Sequence, residues 1–584
     1  MSMCLALFFG NLGAPIYDKQ EPREALVVWE INHSGNWILP LREGHEIPSK
    51  PPLYHWLAAI VSQTAHQLNE MTARLPSALL GALGVLLVYW AGASLWSRNA
   101  GFVSGSILAT SIEWRGTAKV ARVDMTLTFA LLCAFLFFLY FYRSGGGRNK
   151  AFVLGLLLGL ATLAKGPLGF VVPCLTYLVF LWAQRDLSFI KKLHPLVVVS
   201  TCAVVAGSWY ALALWQGGET FLDVVIKENF SMTMGQEAGH PHPFYSYVPF
   251  LFQNMAPWSI FFLPLGLWVY RSRRNLTPDL TYLLIWFGTV FIFFSAFTQK
   301  RPVYILPAYP ALALLLGTWW QKAKDNGAPS LNELARPAVY FCATTFLLFS
   351  GVLFFQILGR GIAPFIRPIL HPKDQAQFSV VASLLLKHRL AVLFWAAVCG
   401  LGGVFLIIAA RKDAWYPAFG CMTALMVVSL LFVQTFDVYV ARQYSFKSFV
   451  KDVVGRVNDA PLYFYSSKDY GVEFYADRYI PILTPDALEM RAIPYYILVW
   501  ENDWKEFPIR NALSLLGRSD SIDPMRKGRL LLVGPANHSP IKHSNLPDGM
   551  CSRPQVIYRC RCSSSFQAMP LGIAAQRLFL FGVR

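Results

Sequence analysis

Charged residues are scarce in this sequence. They make up 14% of the 584 residues, whereas hydrophobic residues make up 55% and the mean hydropathy is +0.42. A soluble globular protein carries roughly 25% charged residues. Because the chain also contains repeated apolar runs of about 20 residues, the length of a membrane-crossing helix, its composition excludes an ordinary soluble protein. We predict an α-helical polytopic membrane protein.

Acidic residues are scarcer than basic ones: 33 Asp and Glu stand against 51 Lys and Arg, a net charge of +18. A surplus of positive charge is typical of nucleic-acid-binding proteins, but membrane proteins also collect Lys and Arg in their cytoplasmic loops. Because apolar runs dominate the chain, we predict no nucleic-acid partner and expect contacts with membrane lipids.

Signals for metal binding and for export are also missing. No Cys/His spacing resembles a zinc site, so we predict no cofactor, and a divalent metal has no support. Most cysteines lie inside apolar runs, where they behave as small hydrophobes: Cys133, Cys174, Cys202, Cys342, Cys399 and Cys421. The start of the chain, MSMCLALFFGNLGAPI, lacks the basic residues of a signal peptide and is short for a span. Either the first helix is tilted or the given start lies inside a longer first helix, and we favour the second alternative.

About thirteen segments are apolar enough to be spans. They are 1–16, 76–96, 101–117, 125–142, 151–164, 167–184, 196–215, 247–270, 280–297, 303–320, 337–357, 390–410 and 416–435. Two further segments in the first loop, 21–35 and 51–68, are predicted as surface helices, the first starting near Pro22 and ending at Gly35. With a cytoplasmic N-terminus, the inner connections are basic, and the first loop and the C-terminus face outward.

The character of the chain changes after residue 435. Short apolar runs at 495–502 and 529–535 are typical of strands, and 448–459 and 511–519 are typical of helices. We predict a transmembrane domain over 1–435, a small α/β domain over 436–540 and an irregular tail over 541–584.

Ionisable residues and one tyrosine gather at the predicted outer ends of distant spans. They are Asp18, Glu21, Arg23 and Lys50 in the first loop, with Asp124, Lys165, Lys300, Arg301 and Tyr304 further on. Taken singly, the cations are ordinary interfacial anchors, and Asp124 is an ordinary helix cap. Their convergence on one face, with both signs of charge, favours an enzyme acting on an amphiphile whose head group lies at the interface.

Such a head group is predicted to be a sugar phosphate. Cations hold the phosphate and stabilise it as it departs, and carboxylates orient a sugar or take a proton from a hydroxyl. Two other classes remain open. A transporter or flippase of lipid-linked saccharides predicts a continuous polar path through the bilayer, and a membrane scaffold predicts only an outer binding domain.

Seven segments resemble, in order, the protein O-mannosyltransferase-like membrane glycosyltransferases, and most of all the branch that contains lipid A aminoarabinose transferase. They are EPREA, SKPPLYHW, RLPSALLGAL, ARVDMTLTF, LAKGPLGFVVP, ENFSMTMGQEAGHPHPFYSY and KRPVYILPAYPALALLLG. The resemblance covers residues 15 to 320 well and the rest loosely. It implies the GT-C fold, with about thirteen spans and a periplasmic α/β domain, in a bacterial inner membrane. It also implies an undecaprenyl (polyprenyl) phosphate-linked sugar donor and a lipid A, other glycan or protein acceptor.

The resemblance also assigns roles to particular residues. It implies that Asp124 lies in the active-site cavity, that Lys50 and Tyr304 contact the donor phosphate, and that Glu21 and Arg23 belong to the first-loop motif. The candidate catalytic carboxylates are Asp124, Glu21 and Asp18. The candidate donor-binding residues are Lys50, Tyr304, Arg23, Lys165 and Arg301.

Three positions depart from the family pattern. Gln20 stands where the family has its usual catalytic Asp, Ser49 replaces the Glu before the phosphate-binding Lys, and Met232 lies near the place of an expected Arg. Gln20 cannot act as a base, so the base is one of the other carboxylates, the acceptor is already ionised, or the chain has lost activity. The departure at Ser49 weakens the expectation of a bound metal.

Overall fold

The structure is a computed structural model of the chain. It describes residues 1–234, 242–325, 329–360, 382–483, 496–507, 513–523 and 528–535. The predicted irregular tail, 541–584, lies outside the described residues. Within them, helices dominate.

The α-helices are Ser2–Cys4, Glu21–Ser34, Leu53–Thr64, Glu70–Leu95, Arg98–Thr110, Ile112–Ala118, Val123–Arg143, Arg148–Lys165, Leu168–Ala183, Phe189–Lys192, Pro195–Cys202, Ser208–Met234, Tyr247–Asn254, Phe262–Ser272, Pro278–Ser295, Tyr309–Asp325, Pro329–Phe355, Arg389–Arg411, Trp415–Tyr444, Lys447–Val457, Tyr470–Ala476 and Glu501–Lys505. Short 3₁₀ or π segments are Leu5–Phe9, Ala203–Gly207, Phe244–Ser246, Trp258–Phe261, Pro302–Ala308 and Gln356–Arg360.

Within the described part of the chain, 8 helical segments are long and apolar enough to cross a membrane, or 9 if the pair bent by 115° around 255–257 is one span. The prediction of a polytopic membrane protein is confirmed. The other predicted spans are short, charged or broken: 101–117, for example, divides at Ser111, whose backbone is extended. The count of about thirteen stays a prediction.

The helix Val123–Arg143 lies at the centre of the bundle, where aromatic side chains pack on it. Phe138 stacks on Tyr177 with ring centroids 3.9 Å apart, and the ring centroid of Tyr282 lies 5.6 Å from that of Phe138. The hydroxyl groups of Tyr177 and Tyr282 donate to the carbonyl oxygens of Ala134 and Phe135 at 3.0 and 2.8 Å. Buried tyrosines satisfied in this way fix the helix, and with it the position of Asp124 in its first turn.

Both predicted surface helices in the first loop are present. Glu21–Ser34 has Pro22 in its first turn and is followed by Gly35. Gly35 has a φ of 69°, which glycine adopts readily, and its N–H donates to the carbonyl oxygen of Ile31. Leu53–Thr64 packs beside it, and both cover the start of Val123–Arg143. The two helices therefore frame the end of the bundle that carries Asp124.

The C-terminal region contains a mixed five-stranded sheet. The strands, in chain order, are Leu462–Tyr465, Ile482–Leu483, Tyr496–Trp500, Ser514–Asp523 and Gly528–Gly534. Their spatial order is second, first, third, fifth and fourth, and the first three are parallel. Lys447–Val457 packs on this sheet through Val450 and Val453. The predicted small α/β domain is therefore present, although the helix Trp415–Tyr444 continues past its proposed start at 436.

One sequence prediction in this region is wrong. Residues 511–519 were expected to form a helix, whereas Ser514–Asp523 is a strand that pairs antiparallel with Gly528–Gly534. The register shifts between Leu515 and Gly517, and again between Arg518 and Ile522. Bulges of this kind interrupt the alternation of side chains, so the run loses the two-residue period by which a strand is recognised.

Candidate functional site

A cavity of about 340 Å³ opens at the end of the bundle beside the first-loop helices. Its walls are mostly apolar and aromatic, and include Leu127, Val171, Trp209, Phe293, Phe294 and Phe297. Ionisable side chains and a tyrosine from five distant segments line the remainder: Lys50, Asp124, Lys165, Glu228 and Tyr304. The cavity thus joins a polar end to an apolar body, as an amphiphilic ligand requires.

Asp124 is the central carboxylate of this polar end. Lys165 Nζ lies 2.6 Å from Asp124 Oδ1, and Arg122 Nη2 lies 3.4 Å from Oδ2. Asp124 is the second residue of Val123–Arg143, where the helix dipole favours a negative charge. Lys165 ends its own helix, because Gly166 follows with a φ of 79°. Two helix ends of opposite polarity therefore meet in one ion pair.

Lys165 also lies over the ring of Tyr304, with its Nζ 4.6 Å from the ring centroid. Tyr304 sits in the 3₁₀ segment Pro302–Ala308 and faces the cavity. A lysine ammonium has three N–H donors, and the hydrogen bond to Asp124 uses one of them. Lys165 therefore keeps donor capacity for a further anion while it lies over the aromatic face.

Lys50 is the second ammonium at the polar end, and it forms an ion pair with Glu228. Burial lowers the pKa of Lys50 to about 7, and the nearby positive charge of Lys165 contributes. Two ammonium groups near enough to repel each other make a site that favours an anion.

Glu228 was not among the residues singled out from the sequence. It is the first residue of ENFSMTMGQEAGHPHPFYSY, one of the seven segments that carry the family resemblance, and that position was the available signal. Its placement depends on the kink at Gly218, whose backbone (φ 55°, ψ −144°) departs from helical values inside Ser208–Met234. Met232, noted for the missing Arg, lies outside the side chains that the structure describes.

Glu21 and Asp18 do not line the cavity. Glu21 is 3% exposed and accepts two hydrogen bonds from Arg74, at 2.7 and 2.6 Å, and one from the Ala121 N–H at 2.8 Å. Asp18 accepts from the N–H groups of Gln20 and Glu21 and so caps the helix that follows. Burial and the neighbouring Glu21 carboxylate raise the pKa of Asp18. The contacts of both carboxylates are structural.

The remaining candidates do not line the cavity. Arg23 makes a 3.5 Å ion pair with Glu46 at the surface. Arg301 is exposed and precedes the Tyr304 segment. Lys300 is buried and donates to the carbonyl oxygens of His242 and Phe297. Of the five proposed donor-binding residues, Lys50, Lys165 and Tyr304 come together in the cavity, whereas Arg23 and Arg301 do not.

The departures from the family pattern can also be located. Ser49 lines the cavity next to Lys50, and Gln20 lies in the turn capped by Asp18. No group of three or more His, Cys, Asp or Glu side chains could hold a metal ion within the ranges that the structure describes. The ammonium groups that line the polar end are those of Lys50 and Lys165.

Most of the polar residues that line the cavity lie in a part of the chain that matches a known family. The family model for dolichyl-phosphate-mannose-protein mannosyltransferase matches residues 49–210, which include Lys50, Asp124 and Lys165. An uncharacterized protein of Aquifex aeolicus is 30% identical over 362 residues, 60% of this chain and 70% of that protein.

Two further similar proteins have names that include undecaprenyl phosphate. The undecaprenyl phosphate-α-4-amino-4-deoxy-L-arabinose arabinosyl transferase of Erwinia tasmaniensis is 27% identical over 418 residues, 71% of this chain and 72% of that protein. The crystal structure of ArnT from Cupriavidus metallidurans bound to undecaprenyl phosphate has the same fold, with a TM-score of 0.73, 20% identity and coverage of 93% of this chain and 98% of that one. The chain belongs to the mannosyltransferase-like family of membrane glycosyltransferases, and the expected GT-C fold is confirmed.

Proposed function

We propose that this glycosyltransferase takes a sugar from an undecaprenyl phosphate-linked donor and transfers it, at the outer face of the inner membrane, to lipid A, another glycan or a protein. The observation that carries the proposal is the meeting of Lys50, Lys165 and Tyr304 around Asp124 at one end of an otherwise apolar cavity. The donor used by the named relatives has the matching form, an anionic phosphate joined to a long apolar chain.

Donor binding replaces one anion by another at Lys50. In the free protein, the partner of Lys50 is the Glu228 carboxylate. A donor phosphate offers Lys50 a charge-assisted hydrogen bond and draws in Lys165 from the other side, while the polyprenyl chain contacts the apolar walls. The exchange leaves Glu228 as a second carboxylate at the reacting end of the donor.

Transfer breaks the bond between the sugar C1 and a phosphate oxygen, and forms one between C1 and an acceptor oxygen. The bonding electrons leave with the phosphate, whose growing negative charge Lys50 and Lys165 stabilise. Asp124, which is held in place by its ion pair with Lys165, accepts the proton of an acceptor hydroxyl. An acceptor that is already an anion needs no such step.

The proposal places the first-loop helices, the cavity mouth and the α/β domain on the periplasmic side. The basic inner connections of the sequence support this orientation. Cysteines introduced at exposed positions such as Arg518 should react with a membrane-impermeant thiol reagent in whole cells whose outer membrane has been permeabilised. Labelling only after cell lysis would reverse the orientation.

The activity is tested with purified full-length protein in detergent. Labelled undecaprenyl phosphate sugars are offered with lipid A or with a membrane glycan extract, and wild type is compared with Lys50→Ala and with the surface control Arg518→Ala. We expect donor consumption by wild type and by the control, and its loss in Lys50→Ala. Equal consumption in all three would refute the proposed site. Movement of a lipid-linked sugar across vesicles without any consumption would indicate a transporter instead.

A further inference from the structure

The segment that carries Lys50 is held by the C-terminal α/β domain, far away in the sequence. Residues 41–47 form a tight turn in which Glu43 and Gly44 both have positive φ, 59° and 74°. The N–H groups of Gly44, His45 and Glu46 donate within the turn. The Glu43 side chain is 3% exposed, and both of its oxygens lie 2.5 Å from Lys468 Nζ, in the loop after the first strand.

Tyr470 reinforces this contact. The Arg42 guanidinium and the Lys468 ammonium each lie 5.1 Å from the centroid of its ring, and its hydroxyl donates to Glu46 Oε2 at 3.4 Å. Arg42, itself buried, also pairs with Glu46. The turn and the domain are thus joined by two cations, two carboxylates and one aromatic ring.

A second buried carboxyl group, that of Glu473, lies next to Glu43. Glu473 is 1% exposed and accepts from the Ile480 N–H at 3.3 Å. Burial and the Glu43 carboxylate raise the pKa of Glu473. Glu473 therefore retains its proton near neutral pH and adds no second negative charge beside Glu43.

The stretch between the turn and the cavity is short and stiff. Between Glu43 and the cavity runs the sequence GHEIPSKPP, in which Pro48 and Pro51 flank Ser49 and Lys50. Proline fixes its own φ and restricts the residue before it, so this stretch is stiff on both sides of Lys50. All four residues line the cavity.

We propose that Glu43 and Lys468, with Arg42 and Tyr470, form a latch by which the α/β domain positions Lys50 for the donor phosphate. Lys468 is thereby a positioning residue and makes no contact with the substrate itself. The consequence for donor binding rests on the proposed function, whereas the positioning of Lys50 does not.

The latch is tested with full-length protein in detergent, using Lys468→Ala, Lys468→Arg and the exposed-pair control Arg518→Ala. Removing Lys468 leaves Glu43 buried without its ammonium partner, which is strongly unfavourable. We expect the amides of 44–46 to exchange with deuterium about tenfold faster in Lys468→Ala, and Lys50 to react correspondingly faster with a water-soluble acylating reagent. Arginine, which reaches both oxygens of a carboxylate, should restore wild-type rates.

Exchange of 44–46 and acylation of Lys50 at wild-type rates in Lys468→Ala would overturn the latch. If that variant does not fold, Glu43→Gln tests the same ion pair, because glutamine keeps the shape of the side chain and removes its charge. The KM for the donor should rise about tenfold in Lys468→Ala, and an unchanged KM would show that the latch does not serve binding. If wild type transfers no sugar, the proposed function is lost, while Lys50 acylation still decides whether the latch exists.

Discussion

The ion pairs Glu21–Arg74 and Asp124–Lys165 are alike in distance and burial but differ in their surroundings. Each joins segments far apart in the chain, at 2.6 Å. Glu21 is enclosed, because Arg74 and the Ala121 N–H occupy its oxygens. Asp124 and Lys165 instead border a cavity. Access to an open volume, rather than residue type or charge, separates a structural pair from a candidate reactive one.

The largest expected effect tests the open pair. Asp124→Asn removes the proposed base and weakens the hold on Lys165, so transfer to a neutral acceptor should fall about 10³-fold. The melting temperature should fall less than when the enclosed pair is broken, because Lys165 borders an open cavity. Sugar transfer and thermal unfolding are measured on the same preparation. Full activity in this variant would assign the base to another group such as Glu228.

Breaking the enclosed pair should instead lower the stability of the protein and leave its transfer activity almost unchanged. Glu21→Gln leaves the Arg74 guanidinium buried without a counter-charge, which should lower the free energy of unfolding by about 3 kcal/mol. The specific activity of the folded fraction should stay close to wild type. Loss of transfer without loss of thermal stability would place Glu21 in the reaction after all. The pair Glu21→Leu with Arg74→Met should recover part of the stability.

A pH series sharpens the description of the open site. Lys50 has its pKa lowered to about 7, so in the free protein it is charged below that pH and neutral above it. A bound phosphate favours the charged form, so donor affinity should fall by up to about tenfold per pH unit as the pH rises above 7. The KM for the donor, measured from pH 6 to pH 9, reports the trend. Lys50→Arg should flatten it.

The smallest effects belong to the cations outside the cavity. Arg23 takes part in a surface ion pair, and Arg301 is exposed. Exposed charged groups contribute about 0–1 kcal/mol, so Arg23→Ala and Arg301→Ala should each change the KM for the donor by no more than about fivefold. A loss comparable to that of Lys50→Ala would mean that the bound state recruits these residues from the rim.

Local patterns allowed much of the fold to be predicted. Pro22 and Gly35 mark the ends of a helix because each constrains the backbone at its own position. Long apolar runs form membrane-crossing helices because the bilayer core offers no hydrogen-bond partners, and a helix pairs its own backbone groups. Lys50, Asp124, Lys165 and Tyr304 could be proposed for the site from ordered motifs. These signals all depend on neighbouring residues in the chain.

The remaining features depend on distant partners. Nothing near Glu21 in the sequence indicates that Arg74, 53 residues away, will enclose it. Glu228 reaches Lys50 only because the helix is kinked at Gly218. The strand Ser514–Asp523 was missed because its pairing with Gly528–Gly534 tolerates bulges that erase its period.

The mutual repulsion of Lys50 and Lys165 has a consequence for heat resistance. A protein that holds two ammonium groups close together gains stability when an anion settles between them, and a ligand at 100 times its Kd adds about 2.7 kcal/mol. A polyprenyl phosphate should therefore raise the melting temperature more than the uncharged polyprenol of equal length. Melting temperature becomes a gauge of occupancy that ranks donors before any sugar or acceptor is known.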